Sequence, residues 1–392
     1  MARREPVERV LRAAAPHELL DKIRAVIVEQ YGGISVDLLM ADYSLKKLQH
    51  VDTAPHTSES VSAHATAPGR AFGSQEPHLV EGEEQDTIHL PVSVRGDRLG
   101  VLSIVLPKNS LTPQLREELA EVAEALGHEI VVAERDTDLF LRARRADRLT
   151  LAAEMQWQLL PGRSCSRPEY SLGAQLEPAY AIYGDSFDWS SSADHLTLTV
   201  NNGMGEGIEA ALLTNLAVNA LRNARRAGLG LVDQASLADQ AVYGQYQGDR
   251  YLAMLLLEFH LPSGDVQIVD AGSPKIWRLR DGAVEALELE AQLPLGMFED
   301  TVYTSQHFRV EPGDRLFFVS DGVYDVASPA GERYGERALT RAITNTRLLP
   351  PSQVPGGILE ELAGHRGRIE AGDDALVVCL DWNGRPEAAP EG

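Results

Sequence analysis

Three short acidic motifs hold the clearest chemical potential in this chain. Asp185 stands in Tyr183-Gly184-Asp185-Ser186-Phe187-Asp188, Asp321 in Ser320-Asp321-Gly322 after the apolar run LFFV, and Asp373-Asp374 directly before ALVVCL. Each lies where a strand-like run meets a turn, so folding can bring the carboxylates to one edge of a sheet. Carboxylates gathered in this way repel one another unless protons or cations neutralise them, and hard divalent ions such as Mg²⁺ and Mn²⁺ favour all-oxygen sites. A single Asp-Gly after a strand is ordinary turn chemistry. Three such motifs within one region point to a cation site. A fourth segment, Asn201-Asn202-Gly203-Met204-Gly205-Glu206-Gly207, follows the alternating run His195 to Val200 and opens a helical pattern. Its glycines let backbone approach an ion or ligand, and the helix start adds a positive dipole end. A dinucleotide-binding turn competes for this segment, but no repeated βαβ pattern surrounds it.

The segments that must position these residues are short. His195 to Val200, Tyr251 to Phe259, Val266 to Val269, Ile276 to Leu279, Leu316 to Val319 and Ala375 to Leu380 read as strands bounded by turns such as PSGD, RDG and EPGD. So many short strands imply antiparallel sheets. Two helices interrupt them, Gly207 to Ala227 closed by Gly228, and Leu231 to Tyr246. Ala211, Leu212, Leu216, Ala220 and Leu221 fall near helical spacing and are assigned to the core. Arg222, Arg225 and Arg226, near the helix end, are read as solvated or as complementing its dipole.

Ahead of this region, residues 17–135 read as a smaller α+β domain. A helix is expected from Glu18 to Tyr31, with strands at Ile34 to Met40, Ile88 to Val94 and Val101 to Leu106. The stretch from Asp52 to Gln85 has little periodicity and reads as a mobile loop or a lid. Thr112 to Leu160 reads as helical almost throughout, with Thr112 as N-cap and Pro113 in the first turn. Within it Leu115, Leu119, Val122 and Leu126 keep a four-three spacing. That seam serves either a homodimer through this linking helix or packing on its own domain. The expected division is therefore 17–135, an overlapping linking helix at 112–160, a larger domain at 168–382, and a frayed tail at 383–392.

Composition narrows the class. The 392 residues hold 36 Lys and Arg against 58 Asp and Glu, a net charge of −22. Such a chain is repelled by phosphate backbones and anionic lipid, which disfavours nucleic acid and membrane as partners. No apolar run approaches the roughly 18 residues of a spanning helix, and a cytoplasmic location is expected. Cys165 and Cys379 are too few for a disulfide framework, and Cys379 reads as core.

Taken in order, the motifs resemble the SpoIIE-like branch of the PPM-type metal-dependent serine/threonine protein phosphatases. The resemblance runs from about Leu151 to Asp381 through AEMQWQLLP, PAYAIYGDSFDW, NGMGEGIEAAL, AGSP, PLGMFED, EPGDRLFFVSDGVYD and GDDALVV. It implies an α+β fold, an αββα sandwich of two antiparallel sheets, with two Mn²⁺ or Mg²⁺ ions at one edge. The front domain resembles a GAF domain by layout: helix, strands, GRAFGSQEP from Gly69 to Pro77, a strand pair and a closing helix. Together they imply hydrolysis of a phosphorylated regulatory protein, an anti-sigma-factor antagonist, controlled by a sensor domain whose small ligand is unknown. The ions would share and acidify a water as nucleophile, so no side chain is assigned as catalytic.

Carried over position by position, Asp185, Asp321 and Asp373 match metal ligands. Gly203 matches the glycine that offers its carbonyl, and Asp188 and Asp374 are outer-shell acceptors. Asn202 stands where the family has the aspartate that bridges both ions. An amide oxygen can ligate one ion, but it brings no charge and bridges poorly. Ser273 in AGSP replaces a frequent histidine, and Ala375 a frequent threonine. Asn202 thus sets two functions against each other: a phosphatase, and a catalytically silent module that binds a phosphoprotein.

Overall fold

A computed structural model describes the chain except for residues 1–3, 52–59, 179, 181, 182, 336, 370, 371 and 386–392. Part of the Asp52–Gln85 stretch and most of the 383–392 tail therefore lie outside the described residues. The chain divides into two compact units, Met1–Arg148 and Leu149–Gly392.

In the first unit, α1 (Arg4–Ala13) and α2 (Leu19–Tyr31) precede β1 (Ser35–Ala41), β2 (Lys47–His50) and β3 (Ser60–Ser62). Then come α3 (Ala67–Ser74), β4 (His78–Glu81), β5 (Gln85–Val94), β6 (Asp97–Pro107), α4 (Pro113–Ala133) and α5 (Leu139–Ala143). The strands form one antiparallel sheet in the order β3-β2-β1-β6-β5-β4. Strand alternation divides its apolar side chains between two faces. Leu38, Met40, Leu102 and Ile104 pack with Ile23, Ile27, Leu119 and Leu126 of α2 and α4. Leu39, Ala41, Leu48 and Val101 pack with Ala71 and Phe72 of α3 on the other face.

Two expectations need correction here. The stretch read as a loop contains β3, α3 and β4; its helix is signalled only by Thr66-Ala67-Pro68, where the Thr66 hydroxyl caps the Gly69 N–H. The linking helix is not continuous: α4 ends at Ala133, and α5 and the next helix (Leu151–Leu159) are separate. The Leu119, Val122 and Leu126 seam is buried in the unit's own core, so it is not available to pair with a second copy. A periodic apolar face reports burial without saying against what.

His89 of β5 gives this unit a measurable pH response. Its Nδ1 lies 2.8 Å from Ser103 Oγ, and burial, then the neighbouring His78, pushes its pKa down from 6.5 to about 4. The fold favours the neutral ring, so stability is full above pH 6.5 and is lost as pH falls towards 4. The loss approaches about 3 kcal/mol. Denaturant midpoints measured from pH 8 to 4 should show it, and His89→Leu should flatten that part of the profile. Superimposable profiles would refute the assignment.

The second unit opens with α6 (Leu151–Leu159), β7 (Ser164–Ser166), β8 (Tyr170–Glu177), β9 (Ser186–Ser191), β10 (His195–Gly203), α7 (Gly207–Arg226) and α8 (Leu231–Tyr246). It continues with β11 (Leu252–His260), β12 (Asp265–Ala271), β13 (Lys275–Arg280), β14 (Ala283–Ala286), β15 (Gln306–Arg309) and β16 (Arg315–Val319). α9 (Asp321–Tyr324), α10 (Ala338–Asn345), α11 (Val354–Arg366) and β17 (Ala375–Trp382) complete it. Two antiparallel sheets result, β15-β12-β11-β10-β9 and β14-β13-β16-β17-β8-β7.

The sheets face each other across a core of Leu196, Leu198, Val200, Leu255, Leu257, Leu316, Phe318, Leu376 and Val378. The alternate residues Met254 and Leu256 pack outward against Leu213, Ala217 and Ala235 of α7 and α8. Phe317, Val377 and Cys379 pack against Leu339, Ile343 and Ile358 of α10 and α11. The layers are thus helix, sheet, sheet, helix. Strands buried on both faces explain the unbroken apolar runs LAMLLL and ALVVCL. Leu212 departs from expectation: it is 43% exposed, because the buried stripe of α7 runs through Ala210, Leu213, Ala217 and Leu221 instead.

Candidate metal centre

The strand pairings put the acidic motifs at one edge of the sandwich. In the five-stranded sheet, Ser186 pairs with Asn201, so Asp185 enters β9 where β10 ends at Asn202 and Gly203. In the other sheet, Val319 pairs with Val377, which sets Ser320 and Asp321 beside Asp373 and Asp374. The Ser320 N–H donates to the Leu376 carbonyl at 3.1 Å, and Ser320 Oγ accepts from the Leu376 N–H at 3.0 Å.

Asp374 links the two sheets. Its Oδ2 accepts the backbone N–H groups of Tyr183 (2.6 Å), Gly184 (2.8 Å) and Asp185 (3.1 Å). The carbonyls of this loop are held from behind: Thr214 Oγ1 donates to Gly184 at 2.8 Å, and Gln156 Nε2 to Asp185 at 2.6 Å. Two glycines permit the close approach. A Cβ on Gly203 would lie 2.5 Å from the Gly184 carbonyl oxygen, and one on Gly322 would lie 1.7 Å from that of Asp374.

Electrostatics follow from this crowding. Asp185 is 1% exposed and its Oδ2 has no hydrogen-bond partner. Burial, then the charge of Asp374 and to a lesser degree those of Asp373 and Asp321, pushes its pKa well above the ordinary carboxylate range, against the pull of the Ser320 side chain. Asp374 is also raised, chiefly by burial, against the pull of its three N–H donors. Asp373 is raised by burial, with Asp321 and Glu206 adding to it. A cleft of about 400 Å³ opens here, lined by Asn202, Gly203, Glu206, Ser273, Asp321 and Asp373 among others. Among the described residues, no three His, Cys, Asp or Glu side chains already close around a common point. The unpartnered Asp185 oxygen and the mutual repulsion of the carboxylates nevertheless fit a divalent cation, which would relieve both.

The other assigned residues divide. Asn202 lines the cleft, with its Nδ2 donating to Ser273 Oγ at 3.0 Å. Asp188 does not join the group. Its Oδ1 lies 2.8 Å from Arg222 Nη2, and its Oδ2 lies 3.2 Å from Arg225 Nη1. The outer-shell reading of Asp188 is thus corrected, and Arg222 and Arg225, read as solvated or as complementing the helix dipole, are found paired with it. A buried carboxylate needs paired charge, and two arginines at successive turns of α7 supply it. Gln156, Thr214 and Tyr324, whose hydroxyl donates to the Ser273 carbonyl at 2.8 Å, are supporting residues that motif spacing alone does not reveal, although Gln156 lies within AEMQWQLLP and Tyr324 within EPGDRLFFVSDGVYD.

Residues 192–383 match the family model described as Stage II sporulation protein E (SpoIIE). The second unit carries a SpoIIE-family domain. Over 227 residues the chain is 24% identical to the phosphoserine phosphatase RsbP of Bacillus subtilis, covering 56% of this chain and 55% of RsbP. It is 19% identical to Protein IcfG of Synechocystis sp. over 358 residues, covering 84% of this chain and 53% of IcfG. The chain therefore spans about half the length of these curated relatives. Among solved structures, the SiaA-PP2C domain of Pseudomonas aeruginosa superposes with a TM-score of 0.50 at 20% identity. That match covers 59% of this chain and 94% of the SiaA domain, and it shows the shared fold.

Proposed function

We propose that the SpoIIE-family domain is a divalent-cation-dependent protein serine/threonine phosphatase. Its substrate would be a phosphorylated cytoplasmic regulator of the anti-sigma-factor-antagonist class. The observation that carries this reading is that Asp321 and Asp373 line one cleft, with a buried, unpartnered Asp185 oxygen on a carboxylate that feels both of their charges. Asp185, Asp321 and Asp373 would hold Mn²⁺ or Mg²⁺, with the Gly203 carbonyl beside them. A bound divalent ion supplies an acidified water and charge neutralisation for an incoming phosphate. Asp374 positions this set by fixing the Tyr183–Asp185 backbone, and Gln156 and Thr214 fix it from the other side. The first unit, GAF-like in its order of helix, strands, Gly69-containing helix, strand pair and closing helix, would bind a small ligand and control the phosphatase.

A second reading, a silent phosphoprotein-binding module, is favoured by one observation: the Asn202 amide is engaged with Ser273. Phosphate release from a phosphoserine-bearing regulatory protein, with and without Mn²⁺, separates the two. The phosphatase reading expects release that depends on Mn²⁺. Binding of the phosphoprotein without release at any Mn²⁺ concentration would select the module instead.

A further inference from the structure

The two departures at Asn202 and Ser273 touch one another. Asn202 ends β10 in the five-stranded sheet, Ser273 follows β12, and Asp321 follows β16 in the six-stranded sheet. Asn202 Nδ2 lies 3.0 Å from Ser273 Oγ, and Ser273 Oγ lies 3.3 Å from Asp321 Oδ2. An amide nitrogen has no acceptor lone pair, so Asn202 donates and Ser273 accepts. The serine hydroxyl then has one proton left, with Asp321 Oδ2 and the Tyr324 oxygen, 3.1 Å away, within reach. Tyr324 uses its own proton on the Ser273 carbonyl at 2.8 Å, which fixes the serine in place. A chain of neutral donors thus spans the gap between the two sheets and ends on the Asp321 carboxylate.

An aspartate at position 202 could not complete this chain. The single serine proton could serve only one of two carboxylates, and the other would need a cation. Charge points the same way: two divalent ions bring four positive charges, against three carboxylates at Asp185, Asp321 and Asp373. One ion brings two, which those carboxylates can balance.

We infer that Asn202 and Ser273 act as a pair that takes the place of a shared second cation, so that this centre holds a single divalent ion on Asp185, Asp321 and Asp373. The inference rests on the phosphatase reading of the same site and sharpens its metal content. Asn202 and Ser273 are positioning residues here, acting through Asp321.

Equilibrium dialysis of the full chain against Mn²⁺, with elemental analysis, counts the ions without reference to activity. One Mn²⁺ per chain is expected at saturation, with the paramagnetic resonance spectrum of an isolated ion. Asn202→Asp should double the stoichiometry and replace that spectrum with the broadened signal of a spin-coupled pair. Two ions on the unaltered chain would overturn the inference and leave the phosphatase reading standing. No ion on the unaltered chain would overturn both. An Asn202→Asp variant that still binds one ion would remove position 202 from the explanation.

Discussion

Asp321→Ala and Asp373→Ala should each lower Mn²⁺-dependent phosphate release by at least roughly 100-fold, more than the loss of an outer hydrogen-bonding partner usually costs a metal site. Both carboxylates line the cleft, and each contributes to the charge repulsion that a cation would relieve. The unloaded protein should keep its stability, because removing one of several crowded like charges relieves repulsion. That combination distinguishes a ligand from a scaffold residue, whose loss lowers stability and activity together. Asp325, four residues along the same motif, supplies the contrast. It is half exposed and pairs with Arg333 at 2.7 Å, and exposed ion pairs contribute little. Asp325→Ala should leave release within about twofold of the unaltered chain. Activity in Asp321→Ala close to that of Asp325→Ala would refute the metal assignment.

The second large effect is expected from a glycine. Gly322→Ala places a methyl group 1.7 Å from the Asp374 carbonyl oxygen, so the start of β17 must move. Asp374 cannot move alone, because its side chain holds the Tyr183–Asp185 backbone through three hydrogen bonds. Overpacking against backbone with that little freedom should cost about 3 kcal/mol or more. In a unit of this size that lowers the thermal midpoint by roughly 6 to 12 °C. Gly364→Ala, in α11 with nothing within 4 Å of the added carbon, should instead be neutral or slightly stabilising. Calorimetry on the two variants decides the matter. Equal midpoints would mean that the Gly322 contact is not a constraint on the fold.

Much of the site is legible in the chain because its residues sit at fixed offsets from strong strand patterns. LFFV followed by Ser320-Asp321-Gly322, and Asp373-Asp374 followed by ALVVCL, announce carboxylates at strand ends before any pairing is known. The apolar runs of β11 and β17 likewise announce strands buried on both faces. The Asp52–Gln85 stretch was illegible for the opposite reason. Its elements are three, eight and four residues long, too short for a period to emerge, and only the Thr66 cap marks the helix.

By itself the sequence determined the chemical types at the site, the antiparallel character of the second unit, and the substitution of Asn202 for an acid. These follow from local patterns and residue identity. Only the tertiary structure decided which groups meet. Asp188 lies three residues beyond Asp185 yet faces Arg222 and Arg225, whereas Asp374, far along the chain, grips the Asp185 backbone. The Leu119–Leu126 seam likewise became core rather than interface once its own sheet covered it. Asn202 and Ser273, separate departures in the chain, became one hydrogen-bonded pair. Sequence spacing sets which face a side chain takes; partners come from the pairing of distant strands, which places residues far apart in the chain within ångströms of each other.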